Sequence, residues 1–169
     1  MGLLDSPFLK KIRRNHSLEH ATVHILNQRG GRLALAGHSD WGGFTLYGPV
    51  DTAEVKLAAQ EALRRLRQGE SDLAVHPRCG TVFATTGILT ALAAFLAISL
   101  DSGSRQRFRW SSIPAAMVAA TAAAILAQPL GMAIQEHYTT EPDPGNLEIK
   151  NISLKPTANL IVHRIDTVQ

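Results

Sequence analysis

Two stretches in the middle of the chain, Thr81 to Leu100 and Ile113 to Ile134, carry no charged residue at all. A helix of about 20 residues rises ~30 Å, the thickness of a bilayer's hydrocarbon core, and unbroken apolarity of that length exceeds what core helices of soluble proteins carry. The pattern predicts a transmembrane helical hairpin. Both stretches are rich in Ala, Gly and Thr, small residues that let helices approach closely in lipid, so the two are expected to pack together. The connecting segment holds Arg105, Arg107, Phe108, Arg109 and Trp110, a basic and aromatic mixture typical of an interfacial anchor.

The flanks alternate differently. Asn15 is placed to cap a short amphipathic helix running to about Gln28, stopped by Gly30 and Gly31. Arg32–Ala36 and Gly43–Tyr47 read as strands around the turn-rich stretch from Gly37 to Gly42. From Asp51 to Gln68 the spacing of Val55, Ala58, Ala59, Ala62, Leu63 and Leu66 predicts an amphipathic helix with one apolar face. Asp72–Val75 reads as a short strand, and Leu147–Leu154 with Asn159–Ile165 as a β-hairpin set off by Pro142, Pro144 and Gly145. The expected fold class is an α+β membrane protein. A small polar α/β domain over residues 1–80 precedes the helical hairpin of 81–134, and a C-terminal β tail follows over 135–169. That tail is too short to fold alone and should pack on the first domain.

Charge sharpens this picture. The net charge of the 169 residues is +3, with 11 Lys/Arg against 8 Asp/Glu in residues 1–80 and 3 against 1 in the inter-helix loop. The basic residues form no aromatic-laced stripe, so nucleic acid is not an expected partner; the excess suits an anionic membrane surface. The partner expected is the lipid bilayer, with the chain as a multi-pass protein of the cell membrane. The basic patch Lys10, Lys11, Arg13, Arg14 leads into a His-rich stretch rather than an apolar one, so no signal peptide is expected and the polar flanks should be cytoplasmic. A single cysteine, Cys79, excludes an intrachain disulfide.

Candidate chemistry sits in two places. His16-Ser17-Leu18-Glu19-His20 puts two imidazoles at i and i+4 on one helix face with a carboxylate beside them. Zinc hydrolysis needs neutral imidazoles to hold the ion, an open position for water and a carboxylate to take its proton. The H-x-x-E-H order also occurs in the inverzincin peptidases, whose further Glu ligand finds no match in spacing here. His24 lies one helical turn on, as a further ligand or supporting partner. The second place is His76-Pro77-Arg78-Cys79-Gly80-Thr81, at the mouth of the first apolar helix, where an imidazole and a thiol three residues apart can reach one ion. His16, His20, His76 and Cys79 together would close a tetrahedral structural site, whereas three of them plus water would make a catalytic one.

A helix with H-x-x-E-H followed by His-Pro-Arg-Cys-Gly-Thr at a membrane helix resembles the bacterial YqhQ-like membrane proteins, described as predicted metal-dependent enzymes. It is also similar to small bacterial membrane proteins that share the N-H-x-L-E-H-A-T opening. The likeness covers residues 15–22 and 76–81 and implies a metal site using His16, Glu19, His20, His76 and Cys79. It brings no substrate with it.

These observations lead to three expectations. The first is a zinc-dependent membrane hydrolase or peptidase with Glu19 as general base, acting on a membrane-proximal peptide or lipid-linked substrate. The second is a non-enzymatic protein whose closed His/Cys site staples domain to hairpin. The third is a metal-handling protein drawing on His24, His38 and His137. A hairpin should also return Glu136, His137 and Tyr138 towards His76 and Cys79, as ligands or as interfacial anchors. His38 and Asp40 are weaker candidates, and His163 is expected to be exposed. No phosphate-binding glycine loop and no nucleophile elbow is present in the sequence.

Overall fold

The computed structural model describes residues 6–31, 34–102, 110–155 and 160–169. Arg105, Arg107, Phe108 and Arg109 of the expected interfacial anchor, Arg32 and Leu33 of the first expected strand and Asn159 of the last lie outside the described residues. The chain forms two compact units, Met1–His76 with Glu136–Gln169, and Pro77–Gln135.

In the first unit, helix α1 spans Pro7–Gly30, strand β1 Ala36–Asp40, β2 Gly43–Tyr47, helix α2 Thr52–Arg67, β3 Glu148–Lys155 and β4 Val162–Val168. The four strands form one antiparallel sheet in the order β1-β2-β4-β3. Strand alternation sorts its faces. Gly37, Phe44, Leu46, His163, Ile165 and Thr167 line up on the side covered by the helices, and Asp40, Thr45, Arg164 and Asp166 on the other. On the inner side Phe44, Leu46 and Ile165 pack with Leu18, Ala21, Ile25 and Leu26 of α1 and with Val55, Ala58, Ala62, Leu63 and Leu66 of α2. Each fully buried Val, Leu, Ile or Phe among these contributes roughly 1.5–3 kcal/mol. On the outer side Arg164 grips Asp40 at 2.7 and 2.8 Å and Asp166 at 3.0 Å.

Helix α2 forms as its pattern predicts. The Asp51 side chain accepts from the Ala53 N–H at 2.7 Å, and the six expected apolar residues are the buried ones. Helix α1 differs: it starts eight residues before Asn15, with Ser6 as N-cap accepting from the Leu9 N–H and Pro7 at the first position, where its missing N–H costs nothing. Asn15 is fully buried instead, donating to the Asp40 carbonyl at 2.8 Å and accepting from the Thr167 hydroxyl at 2.7 Å. The first strand is also displaced, because Gly37 to Asp40 pair with β2 and leave only Trp41-Gly42 as the turn. Residues Ser71–Ala74 are a 3-10 turn, not a strand. His163 is buried rather than exposed: β4 is a central strand, and the imidazole Nε2 meets the Thr52 hydroxyl at 3.0 Å in the first turn of α2.

At the β2–β4 seam the backbone leaves no space. Gly43 has φ +143°, and a Cβ there would lie 2.0 Å from the Ile165 carbonyl oxygen.

The second unit consists of α3, Gly80–Ser102, and α4, Ile113–Ile134, entered through a 3-10 turn at Trp110–Ser112. Both helices are long and apolar enough to cross a membrane. They pack against one another where Gly131 of α4 meets Val82 of α3, whose Cα would stand 2.9 Å from any added Cβ. Away from that seam the side chains point outward, Phe95 65 % and Ile125 68 % exposed. The hydroxyls of Thr85, Thr86, Thr90 and Thr121 donate to their own helix's carbonyls four residues back, all at 2.8 Å, which satisfies them without water.

Candidate functional site

The middle of α1 is polar yet buried. Asn15, Ser17, Glu19, His20 and Thr22 are all shielded from solvent, at a desolvation cost that only specific partners offset. Two of those partners are hydroxyl bonds back into α1 itself, Ser17 to the Arg13 carbonyl at 3.1 Å and Thr22 to the Leu18 carbonyl at 2.7 Å.

The histidines are held by carbonyls. His16 Nδ1 stands 2.9 Å from the Thr139 carbonyl oxygen and His20 Nδ1 2.7 Å from that of Ala74. A carbonyl only accepts, so each Nδ1 carries the hydrogen, and in the neutral ring the lone pair belongs to Nε2. His24 is anchored through the other nitrogen, Nε2 donating to the Val75 carbonyl at 2.9 Å, which puts its lone pair on Nδ1. The 3-10 turn at 71–74 is what delivers the Ala74 and Val75 carbonyls to this face.

The rings cluster. The centroids of His16 and His20 are 4.3 Å apart, those of His20 and His76 5.9 Å, and those of His24 and His76 4.9 Å. Two imidazoles sharing one ion through bonds of ~2.0–2.1 Å have centroids roughly 5 Å apart, a value that these separations bracket. The first unit therefore brings His16, His20 and His76 together, with His24 alongside.

His20 is 3 % exposed, and its pKa is pushed down to about 3, first by burial and then by the neighbouring His16, against the raising effect of the Ala74 carbonyl. It stays neutral at any physiological pH, the form that binds a metal. Below the ordinary histidine value near 6.5 the unfolded chain takes up a proton that folded His20 refuses, so stability falls with pH through the window from about 6.5 to about 3. In chelator-treated protein, acidification from about pH 7 to about pH 4 should remove on the order of 3 kcal/mol through this group. Thermal unfolding measured across that range checks it, because His20→Gln should flatten the slope.

Glu19 is buried, 6 % exposed, and turns towards β1: a Cβ on Gly37 would lie 2.1 Å from its Oε1. Gly37 is thus needed at the site, although its neighbours have the composition of a turn. The signal available was a glycine inside a strand-like run, which marks close approach of another group.

The segment following α4 forms a π-turn over Gln135–Thr139. Its end is tied to α1 by Arg13, whose Nη2 donates to the Thr140 carbonyl at 2.7 Å, and by the Glu141 N–H, which donates to the Ser17 hydroxyl at 2.9 Å. Of the residues expected to return here, His137 serves through its carbonyl and the Tyr138 side chain is largely exposed; the carbonyl that meets His16 is that of Thr139, which the sequence did not single out. Asp40 is taken up by Arg164, which holds its carboxyl below the usual range, and His38 is exposed on β1. Cys79 belongs to the second unit, where it is buried just ahead of α3 and its sulfur accepts from the Thr81 N–H at 3.4 Å.

Residues 11–152 match the family described as a domain of unknown function (DUF6391). The chain is 40 % identical over 152 residues to an uncharacterised protein of Picosynechococcus sp. (strain PCC 7002), covering 83 % of this chain and 71 % of that one. No solved structure matches.

Proposed function

The chain belongs to the DUF6391 family, and from that premise we propose that it is a zinc-binding integral membrane protein, anchored by α3 and α4, that performs metal-assisted hydrolysis at the membrane surface. The observation that carries the metal reading is the paired anchoring of His16 and His20 through Nδ1 to backbone carbonyls. Such anchoring is the usual outer support of a metal-binding imidazole, because it fixes tautomer and ring orientation together. His76 supplies the third imidazole of the cluster. Cys79, three residues further along the chain, is the proposed fourth donor, within ~11 Å of His76 by backbone length alone. An imidazole and thiolate set favours zinc over magnesium or calcium.

The membrane reading is supported by the outward-facing apolar side chains of α3 and α4 and by their self-satisfied threonines. Cytoplasmic placement of the polar unit is proposed from the 11 Lys/Arg against 8 Asp/Glu of residues 1–80.

Bound at this site, zinc would supply an activated water at neutral pH. Glu19, adjacent to His20 in sequence, is the carboxylate proposed to accept its proton, and a peptide or lipid-linked molecule near the bilayer is the proposed substrate. One observation favours a second reading: the Glu19 carboxylate lies against Gly37 of the sheet, where it would support a closed structural site of His16, His20, His76 and Cys79 instead.

Metal analysis of the detergent-purified protein tests the proposal, with about one zinc per chain expected and none, even after zinc addition, overturning it. Glu19→Gln separates the two readings. Under the catalytic one, zinc is retained and hydrolytic turnover of a membrane-proximal substrate falls by roughly 100-fold or more. Under the structural one, zinc affinity itself drops about 10- to 100-fold.

A further inference from the structure

A patch at the start of α1 and the tip of the β1–β2 hairpin takes no part in the histidine cluster. Phe8 and Lys11 stand three residues apart on α1 and so share a face. Trp41, in the hairpin turn, is 62 % exposed and Phe8 60 %. The Lys11 ammonium lies 5.4 Å from the centre of the Trp41 ring, which joins the two elements into one surface, and Lys10 is its neighbour. The carboxylate next to Trp41 in sequence, Asp40, is occupied by Arg164.

Indole and phenyl rings beside lysines form the composition of a membrane-interface belt. The ring bodies enter the headgroup region and the ammonium groups meet lipid phosphate. Arg13, two residues after Lys11, donates to the carbonyls of His137 and Thr140, and His137 follows the last residue of α4 by three positions, at most ~11 Å of chain.

We propose that Phe8, Lys10, Lys11 and Trp41 seat the polar unit on an anionic lipid surface. The inference rests on reading α3 and α4 as membrane spans. Held this way, the histidine cluster stays near the headgroups, where a lipid-linked or membrane-bound substrate would be found.

The chain has two tryptophans, so Trp110→Phe leaves Trp41 as the single reporter in the full-length protein reconstituted into vesicles. With headgroup-labelled quencher lipid, Trp41 fluorescence should be quenched more strongly in vesicles containing phosphatidylglycerol than in phosphatidylcholine alone. Lys10→Gln with Lys11→Gln should abolish that difference, since each lysine near an anionic surface is worth roughly fivefold and the pair about 30-fold. Quenching by acrylamide alone, or equal lipid quenching at both compositions, would overturn the proposal. Trp41→Phe, reporting through Trp110 ahead of α4, separates the two levels. If Trp110 is quenched by lipid and Trp41 is not, only the docking fails. If neither is quenched, the membrane reading fails with it.

Discussion

Replacing His20 with alanine is expected to strip the protein of zinc, lowering affinity by more than about 100-fold, beyond what loss of an outer-shell partner costs. His20 is the central ring of the cluster, within 4.3 Å of His16 and 5.9 Å of His76 between centroids. Burial also keeps it neutral, so no proton has to leave before a metal binds. The His24→Ala variant provides the contrast. His24 touches His76 from the side and presents its other nitrogen to a carbonyl, so its loss should lower affinity only about 10-fold. Equilibrium zinc titration against a competing chelator reads both. Equal effects of the two substitutions would show that the proposed ligand set is wrong.

The largest effect on stability should come from Gly43→Ala. An alanine there must adopt φ near +143° and place its Cβ 2.0 Å from the Ile165 carbonyl oxygen, a backbone atom of a central strand. Strain and overpacking together should cost about 3 kcal/mol or more. This seam joins the β1–β2 hairpin to the β3–β4 hairpin, so the sheet has no way to relax at its edge. The expected result is a fall in Tm well beyond ~10 °C or failure to accumulate folded protein. Gly69→Ala isolates the strain alone, because Gly69 has φ +89° with open space around it, and should cost only about 1 kcal/mol.

Much of the architecture was legible in the pattern of apolar residues. Helix α2, the second strand and the two uncharged helices lie where periodicity and length place them, since local pattern and tertiary packing agree there. The misplacements gather around the histidines. Asn15 has the residue type and the following sequence of an N-cap, yet its amide is claimed by Asp40 and Thr167 from two other strands, partners that no local window contains. Gly37 to Asp40 have turn composition and form a strand, because Gly37 admits Glu19 and Asp40 holds Arg164. The 71–74 segment looked extended and instead curls to present carbonyls to His20 and His24. The H-x-x-E-H spacing could be read as a ligand pair. The tautomers could not, since they depend on backbone oxygens of Ala74 and Thr139, and main-chain atoms leave no mark in composition.

The hydrogen bond from Thr167 to Asn15 joins residues 152 positions apart, and that span has a consequence for how the protein is made. Helix α1 buries a row of polar side chains whose partners include the last strand of the chain, so it gains its full set of bonds only once β4 exists. At ~5–20 residues per second, both apolar helices have been synthesised a few seconds before that strand is complete. The polar unit is thus completed only once β4 has been made, its two halves meeting across the loop entropy of everything between them. Until then the histidines remain part of an unfinished domain, and any metal they acquire must come late.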